Sequence, residues 1–139
     1  MTESTATGDT FETRIDVRLR DVDFMGHVNN AVYATYLEQA RAAFFQEALA
    51  VSLDHVDTVL ATLELEYHRP IEAEQSVVVE LRIGDLGTSS IPMTYEIIAE
   101  GERAATATTV QVVVDPETGS SRPIPGDWRD RLEAYYGEQ

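Results

Sequence analysis

At 139 residues, the chain has the length of a single domain with a sizeable core. No apolar run approaches the roughly 20 residues of a membrane span, and the lack of cysteine excludes disulfides, thiolate metal sites and a cysteine nucleophile. The formal net charge is −15, from 25 acids against ten basic residues, all of them arginine.

The acids are spread along the whole chain, and the apolar periodicity described below separates it from an acidic disordered segment. So acidic a surface is tolerable where salt screens self-repulsion to about 3 Å. The composition therefore reads as that of a halophilic, cytoplasmic protein. A phosphate backbone needs a basic stripe, so nucleic acid is excluded as a partner, as is a membrane. The three histidines, His27, His55 and His68, lack the short spacing of a zinc site, so no metal is expected.

Met1 to Thr10 is polar and acidic, unlike a signal peptide, and reads as a disordered arm over residues 1–10 ahead of a single domain over 11–139. Ile15, Val17 and Leu19 then alternate with Asp16, Arg18 and Arg20 as a half-buried strand. Residues 21–30 break that rhythm. Gly26 marks a loop there, and Asn29 and Asn30 mark a helix start as cap residues. From Ala31 to Ala48, Tyr33, Tyr36, Leu37, Ala40, Phe44 and Ala48 recur at helical steps, while Glu38 and Arg41 are spaced to pair on another face.

Four more strands follow. Val59, Ala61, Leu63, Leu65 and Tyr67 precede Pro70; Val77, Val79, Leu81 and Ile83 precede Gly84; Ile91, Met93, Tyr95 and Ile97 precede Glu100-Gly101-Glu102; the last runs from Arg103 to Val114. Their short connections imply antiparallel hairpins. Trp128, Leu132 and Tyr135 or Tyr136 suggest a short C-terminal helix. The class is α+β, with five antiparallel strands and one long helix. A helix of ~18 residues is ~27 Å long and a strand of ~9 residues spans ~30 Å, so the helix can lie along one face of the sheet. The remaining edges favour self-association.

The run Arg20-Asp21-Val22-Asp23-Phe24-Met25-Gly26-His27-Val28-Asn29-Asn30-Ala31-Val32-Tyr33, followed by Tyr36-Leu37-Glu38-Gln39-Ala40-Arg41, closely resembles the signature of hotdog-fold thioesterases. It is most similar to the branch containing 4-hydroxybenzoyl-CoA thioesterase and bacterial long-chain acyl-CoA thioesterases. The Gly-His-Val-Asn-Asn form is also similar to plant acyl-ACP thioesterases. Tyr67-His68-Arg69-Pro70-Ile71 and Leu86-Gly87-Thr88-Ser89-Ser90 agree with the same pattern, which spans roughly Arg14 to Val114. The resemblance implies a sheet wrapped around a central helix, a dimer or tetramer with active sites at a subunit interface, and hydrolysis of an acyl-CoA. Coenzyme A is then part of the substrate, and no cofactor is needed.

By position, the resemblance makes Asp23 the catalytic carboxylate. It gives Asn30 a backbone N–H that polarises the thioester carbonyl, and it matches His27 to a histidine of the acyl-ACP branch. The chemistry is sound in its own right. Free N–H groups at a helix start, backed by the helix dipole, suit a developing oxyanion, and a nearby carboxylate can attack the carbonyl or activate water.

Each residue also has a plainer reading. Asp23 could cap its loop; spacing alone does not separate it from Asp21, which is expected to hold loop N–H groups. His27 could be a polar loop residue. Gly26 and Asn29 shape the substrate loop, Tyr33 is core or bounds the acyl pocket, and Ser89 and Ser90 are structural or line the thioester site. Coenzyme A phosphates call for arginines, with Arg69, Arg103, Arg122, Arg129 and Arg131 as candidates. A non-catalytic acyl-thioester binding module, an acyl-ACP thioesterase and a hotdog dehydratase are the competing readings.

Overall fold

A computed structural model describes residues 4–7, 10–51 and 57–135. Its strands are β1 (Ser4–Thr7), β2 (Thr10–Ile15), β3 (Thr58–Tyr67), β4 (Val77–Ile83), β5 (Ser90–Ala99) and β6 (Glu102–Val113). They form one antiparallel sheet in the order β1-β2-β4-β5-β6-β3. One long helix, α1 (Val32–Leu49), enters between β2 and β3, and a short one, α2 (Gly126–Glu133), follows the sheet. This is the α+β hotdog architecture that the resemblance implies. The five expected strands are β2 to β6. The sixth falls within the segment read as a disordered arm, where Ser4–Thr7 pair with Thr10–Thr13; residues 1–3, 8 and 9 lie outside the described residues.

Strands β4, β5 and β6 alternate as their sequences require. Val77, Val79, Leu81 and Ile83 are buried on one face, opposite Ala99, Ile97, Tyr95 and Met93 in turn, and Ile91 is buried on the same face of β5. Glu100 and Gly101 take φ 52° and 79°, the positive angles of a two-residue hairpin turn, and they join β5 to β6. β2 begins and ends earlier than the alternation suggests. Phe11, Thr13 and Ile15 supply its inner face, whereas Leu19, expected in the strand, is 92% exposed in a 3-10 turn over Leu19–Asp21. Asp21 causes the turn, because its carboxylate accepts the Arg18 N–H at 2.9 Å and draws the chain back on itself.

α1 packs against β2, β4 and α2, with Tyr33, Tyr36, Leu37, Ala40, Phe44 and Ala48 buried as their spacing predicts. The Phe44 ring meets Phe11 and Tyr135 edge to face at 5.4 and 5.0 Å, so the stripe joins both layers to the C-terminal segment. Tyr136 lies outside the described residues. Arg41 departs from expectation. It does not pair with Glu38 among the described ion pairs; it is 5% exposed and donates from Nη1 to the Tyr95 hydroxyl at 3.4 Å. Helical phase explains this, since Arg41 stands four residues from both buried Leu37 and buried Phe45 and shares their inward face.

Strand β3 is the other departure. Its alternation predicts a half-buried strand, yet nearly all of it is exposed, because it lies at the end of the strand order. A bulge between Leu60 and Thr62 shifts its phase. Leu60, Leu63 and Leu65 thereby share a face with Gln111, Thr109 and Ala107, while Val59 turns to the other side.

Candidate active site

The loop between β2 and α1 is a small hairpin built by its own polar groups. Val22 and Val28 pair as an isolated bridge. The Asp23 N–H donates to the His27 carbonyl at 2.7 Å, and the Gly26 N–H to the Asp23 carbonyl at 3.0 Å. Gly26 has φ +85°, a left-handed angle that side chains disfavour, so its place in the loop is conformational. The hairpin is fastened from outside by Val28 N–H to the Ile71 carbonyl and Ala73 N–H to the Gly26 carbonyl, at 2.8 and 3.2 Å.

Asp21 and Asp23 have separate tasks. Asp21 is 2% exposed; its Oδ2 accepts the Arg18 N–H and the Tyr36 hydroxyl at 2.9 and 2.8 Å, and its Oδ1 faces the Arg18 guanidinium at 3.2 Å. Burial alone pushes its carboxyl up, but the hydrogen bonds from Arg18 and Tyr36 outweigh it and hold the group below the usual carboxylate range. The Tyr36 hydroxyl is pushed upward by burial and by this same carboxylate.

Asp23 is exposed, and both aspartates hold backbone N–H groups: Asp21, as expected, that of Arg18 ahead of it, and Asp23 those of the 21–30 loop after it. Its Oδ1 accepts Met25 N–H at 2.9 Å and His27 N–H at 3.1 Å, whereas its Oδ2 has no hydrogen bond among the described residues. One oxygen therefore fixes the side chain and the other is open.

The tip of α1 follows directly. The Asn29 N–H donates to the Asp21 carbonyl at 2.8 Å, and Asn29 Oδ1 accepts the Ala31 N–H at 2.9 Å. Asn29 thus caps the turn, as expected. The Asn30 side chain makes no cap; its carbonyl accepts the Tyr67 hydroxyl at 2.7 Å and the Tyr33 N–H at 3.4 Å. The Asn30 N–H has no hydrogen bond among the described residues.

Asp23, His27, Asn30, Tyr33 and Arg69 line one open cleft of ≈ 420 Å³, together with Tyr67 and His68. Tyr33 is 1% exposed and meets Tyr67 edge to face at 4.8 Å. His27 also borders a second open cleft with Gly26, Glu72 and Glu100, so it is shared between two sides of the loop. Gly26 and Asn29 do not line the first cleft and act through the loop's shape. Ser89 and Ser90 stand apart. Ser90 pairs with Val112, which pairs with Val59, at the opposite end of β3 from Tyr67. Tyr67 is the contributor that sequence reading leaves without a role; an aromatic at the end of a strand gives no sign of reaching a helix tip 37 residues earlier.

The arginines proposed for phosphate binding are all engaged. Arg69 pairs with Glu102, Arg103 with Glu96, Arg122 with Asp57 and Arg129 with Glu133, and Arg131 donates to the Leu49 carbonyl. Arg20, in the 3-10 turn that leads into the 21–30 loop, is exposed and has no partner among the described residues. Among the described residues, no helix is long and apolar enough to cross a membrane.

The family model for the thioesterase-like superfamily matches residues 17–132. The fold aligns with the crystal structure of a thioesterase from Thermus thermophilus complexed with coenzyme A and Zn, with TM-score 0.85 and 38% identity, covering 95% of this chain and 97% of that one. The chain is 25% identical over 127 residues to the long-chain acyl-CoA thioesterase FadM of Escherichia coli (strain K12), covering 88% of this chain and 96% of that protein. It is 28% identical over 114 residues to YsmA of Bacillus subtilis (strain 168), covering 80% and 77%. The chain belongs to the thioesterase-like superfamily, with the hotdog fold, and is a thioester hydrolase.

Proposed function

We propose that the protein hydrolyses acyl-CoA thioesters to a free acid and coenzyme A in the cleft between the 21–30 loop and the tip of α1. One observation carries this reading: Asp23, with one carboxylate oxygen uncommitted, shares that cleft with Asn30, whose N–H is uncommitted at the start of an 18-residue helix. A thioester carbonyl oxygen accepting the Asn30 N–H would sit where the helix dipole favours negative charge. Removing such a donor in other hydrolases costs ~3 kcal/mol of transition-state stabilisation. Asp23 then either attacks the carbonyl carbon, expelling the thiolate of coenzyme A and leaving a mixed anhydride that water hydrolyses to the free acid, or takes a proton from a water that attacks the carbon and expels the thiolate, which ends as the thiol. His27 borders the same space and can steady the leaving sulfur or the water. Coenzyme A enters as substrate, and no cofactor takes part.

Self-association completes the reading. The free side of β3 presents an edge whose Val59, Leu60, Leu63 and Tyr67 are 51, 40, 40 and 45% exposed, a surface that a second copy can cover by antiparallel pairing. A two-fold axis through the middle of β3 turns the Thr58 end of one copy onto the Tyr67 end of the other. It thereby carries the partner copy's Ser89 and Ser90 to the same end of the sheet as Asp23. The composition supports a salt-rich cytoplasm as the setting, with neither nucleic acid nor membrane as partner.

Asp23→Ala is expected to lower thiol release from acyl-CoA by at least about 100-fold, with a melting temperature lower by no more than several degrees for the two loop hydrogen bonds it removes. Wild-type turnover in that variant would reject the assignment, and tight acyl-CoA binding without turnover by the native protein would favour a binding module.

A further inference from the structure

We infer that Tyr67 is a positioning residue for the thioester site, acting through the Asn30 backbone. The inference rests on the proposed role of Asn30. Three observations meet at this tyrosine. Its hydroxyl donates to the Asn30 carbonyl at 2.7 Å. Its ring stands edge to face against Tyr33, in the first turn of α1, with centroids 4.8 Å apart and planes at 77°. It lines the cleft that Asp23 and Asn30 line.

The Asn30 carbonyl needs little help for stability, because it already accepts the Tyr33 N–H and lies at an exposed position. What the tyrosine adds is direction. The Asn29 side chain caps the Ala31 N–H, but no side chain caps Asn30, and Ala31, the residue at the helix cap, makes no side-chain hydrogen bond of its own. On one side of Asn30, the Asn29 N–H is held by the Asp21 carbonyl and the Asn29 carbonyl by the Val32 N–H; on the other, the Tyr67 hydroxyl holds the carbonyl of Asn30 itself. The Asn30 N–H is thus aimed from two directions, by the 21–30 loop and by the sheet edge. A donor serves an oxyanion only while its direction is kept, and misplacement by about 1 Å can cost ~100-fold in rate.

Tyr67 is also the last residue of β3, and the next two residues hold that strand end to β6 through His68 N–H and Arg69 N–H on the Ala104 carbonyl, at 2.8 and 3.2 Å. The hydroxyl therefore ties a sheet edge to the helix tip, and any change in that edge reaches Asn30 through one hydrogen bond.

The test compares steady-state hydrolysis of one acyl-CoA by the native protein, Tyr67→Phe and Asp23→Ala, below their melting temperatures. Phenylalanine keeps the ring against Tyr33 and removes only the hydroxyl. The expected result is a fall of about tenfold in kcat with KM within about twofold of native, and a melting temperature lower by no more than a few degrees. Native kcat in Tyr67→Phe, or a loss carried by KM instead, overturns the inference. If Asp23→Ala is inactive while Tyr67→Phe matches the native protein, the positioning role alone fails. If Asp23→Ala keeps native turnover, the reading of the site fails with it.

Discussion

Asp21 and Asp23 are separated by one residue, yet Asp21 is 2% exposed and gives its carboxylate to Arg18 and Tyr36, while Asp23 keeps one oxygen free. The partner that decides between them, Tyr36, is 15 residues away in sequence, so spacing alone could not tell them apart. Asp23 lines the cleft, and its Oδ1 contacts with Met25 and His27 give that placement a physical basis. Arg20 follows from a different kind of reasoning. The proposed acyl-CoA substrate, with several phosphates, would approach a chain of net charge −15, and the arginines named from sequence are already neutralised or turned to carbonyls. Arg20→Gln is therefore expected to raise KM for acyl-CoA about fivefold, the size of an exposed charge contact of ~1 kcal/mol, while leaving kcat unchanged. The same acyl group on pantetheine, which lacks the nucleotide phosphates, should show no such rise; an equal rise on both substrates would count against the assignment.

At the scale of elements, α1 and the β4–β5–β6 meander were legible because each packs against this chain's own core, which imprints helical or alternating periodicity on the sequence. Strand β3 carries the imprint of burial without being buried. Its leucines alternate as if a layer lay over them, yet only Leu65 packs in part against the core, and among the described residues nothing covers Leu60 and Leu63. Two features were invisible in the pattern for a physical reason. The bulge at Leu60–Thr62 depends on the register against β6, and β1 forms from polar residues whose only recommendation is an available edge on β2. The second copy proposed across β3 would account for the unspent apolar pattern. Leu63→Arg places a charge at the middle of that edge, and it should convert a dimer into monomers in analytical ultracentrifugation and lower turnover by about tenfold or more. An unaltered sedimentation coefficient, with native activity, would remove β3 as the interface.

Across the whole molecule the acidic charge has a local structure. Glu12 pairs across strands with Glu80, and Glu80 with Glu96, so three carboxyl groups stand in one row on the face of the sheet turned away from the core. Burial raises the Glu80 carboxyl, and the charge of Glu12 with the hydrogen bond shared between them raises it further, with Glu96 adding and Arg82 opposing. A carboxyl raised in the folded state stabilises the fold when protonated, and that stabilisation is lost as pH rises through the folded-state value. At neutral pH the row therefore works against folding. Part of its cost is the burial of a charge, which salt leaves in place, and part is a Coulomb repulsion between partly exposed groups, which concentrated salt screens to about 3 Å. Glu80→Gln should accordingly melt at a higher temperature than the native protein at pH 7 in low salt. The gain should shrink as potassium chloride approaches molar concentration, and it should vanish in acid, where the native glutamate is itself protonated. A native protein that melts at the same temperature in dilute and molar salt, with no benefit from the glutamine, would mean that this row carries no net repulsion and that the acidic composition answers to something other than salt.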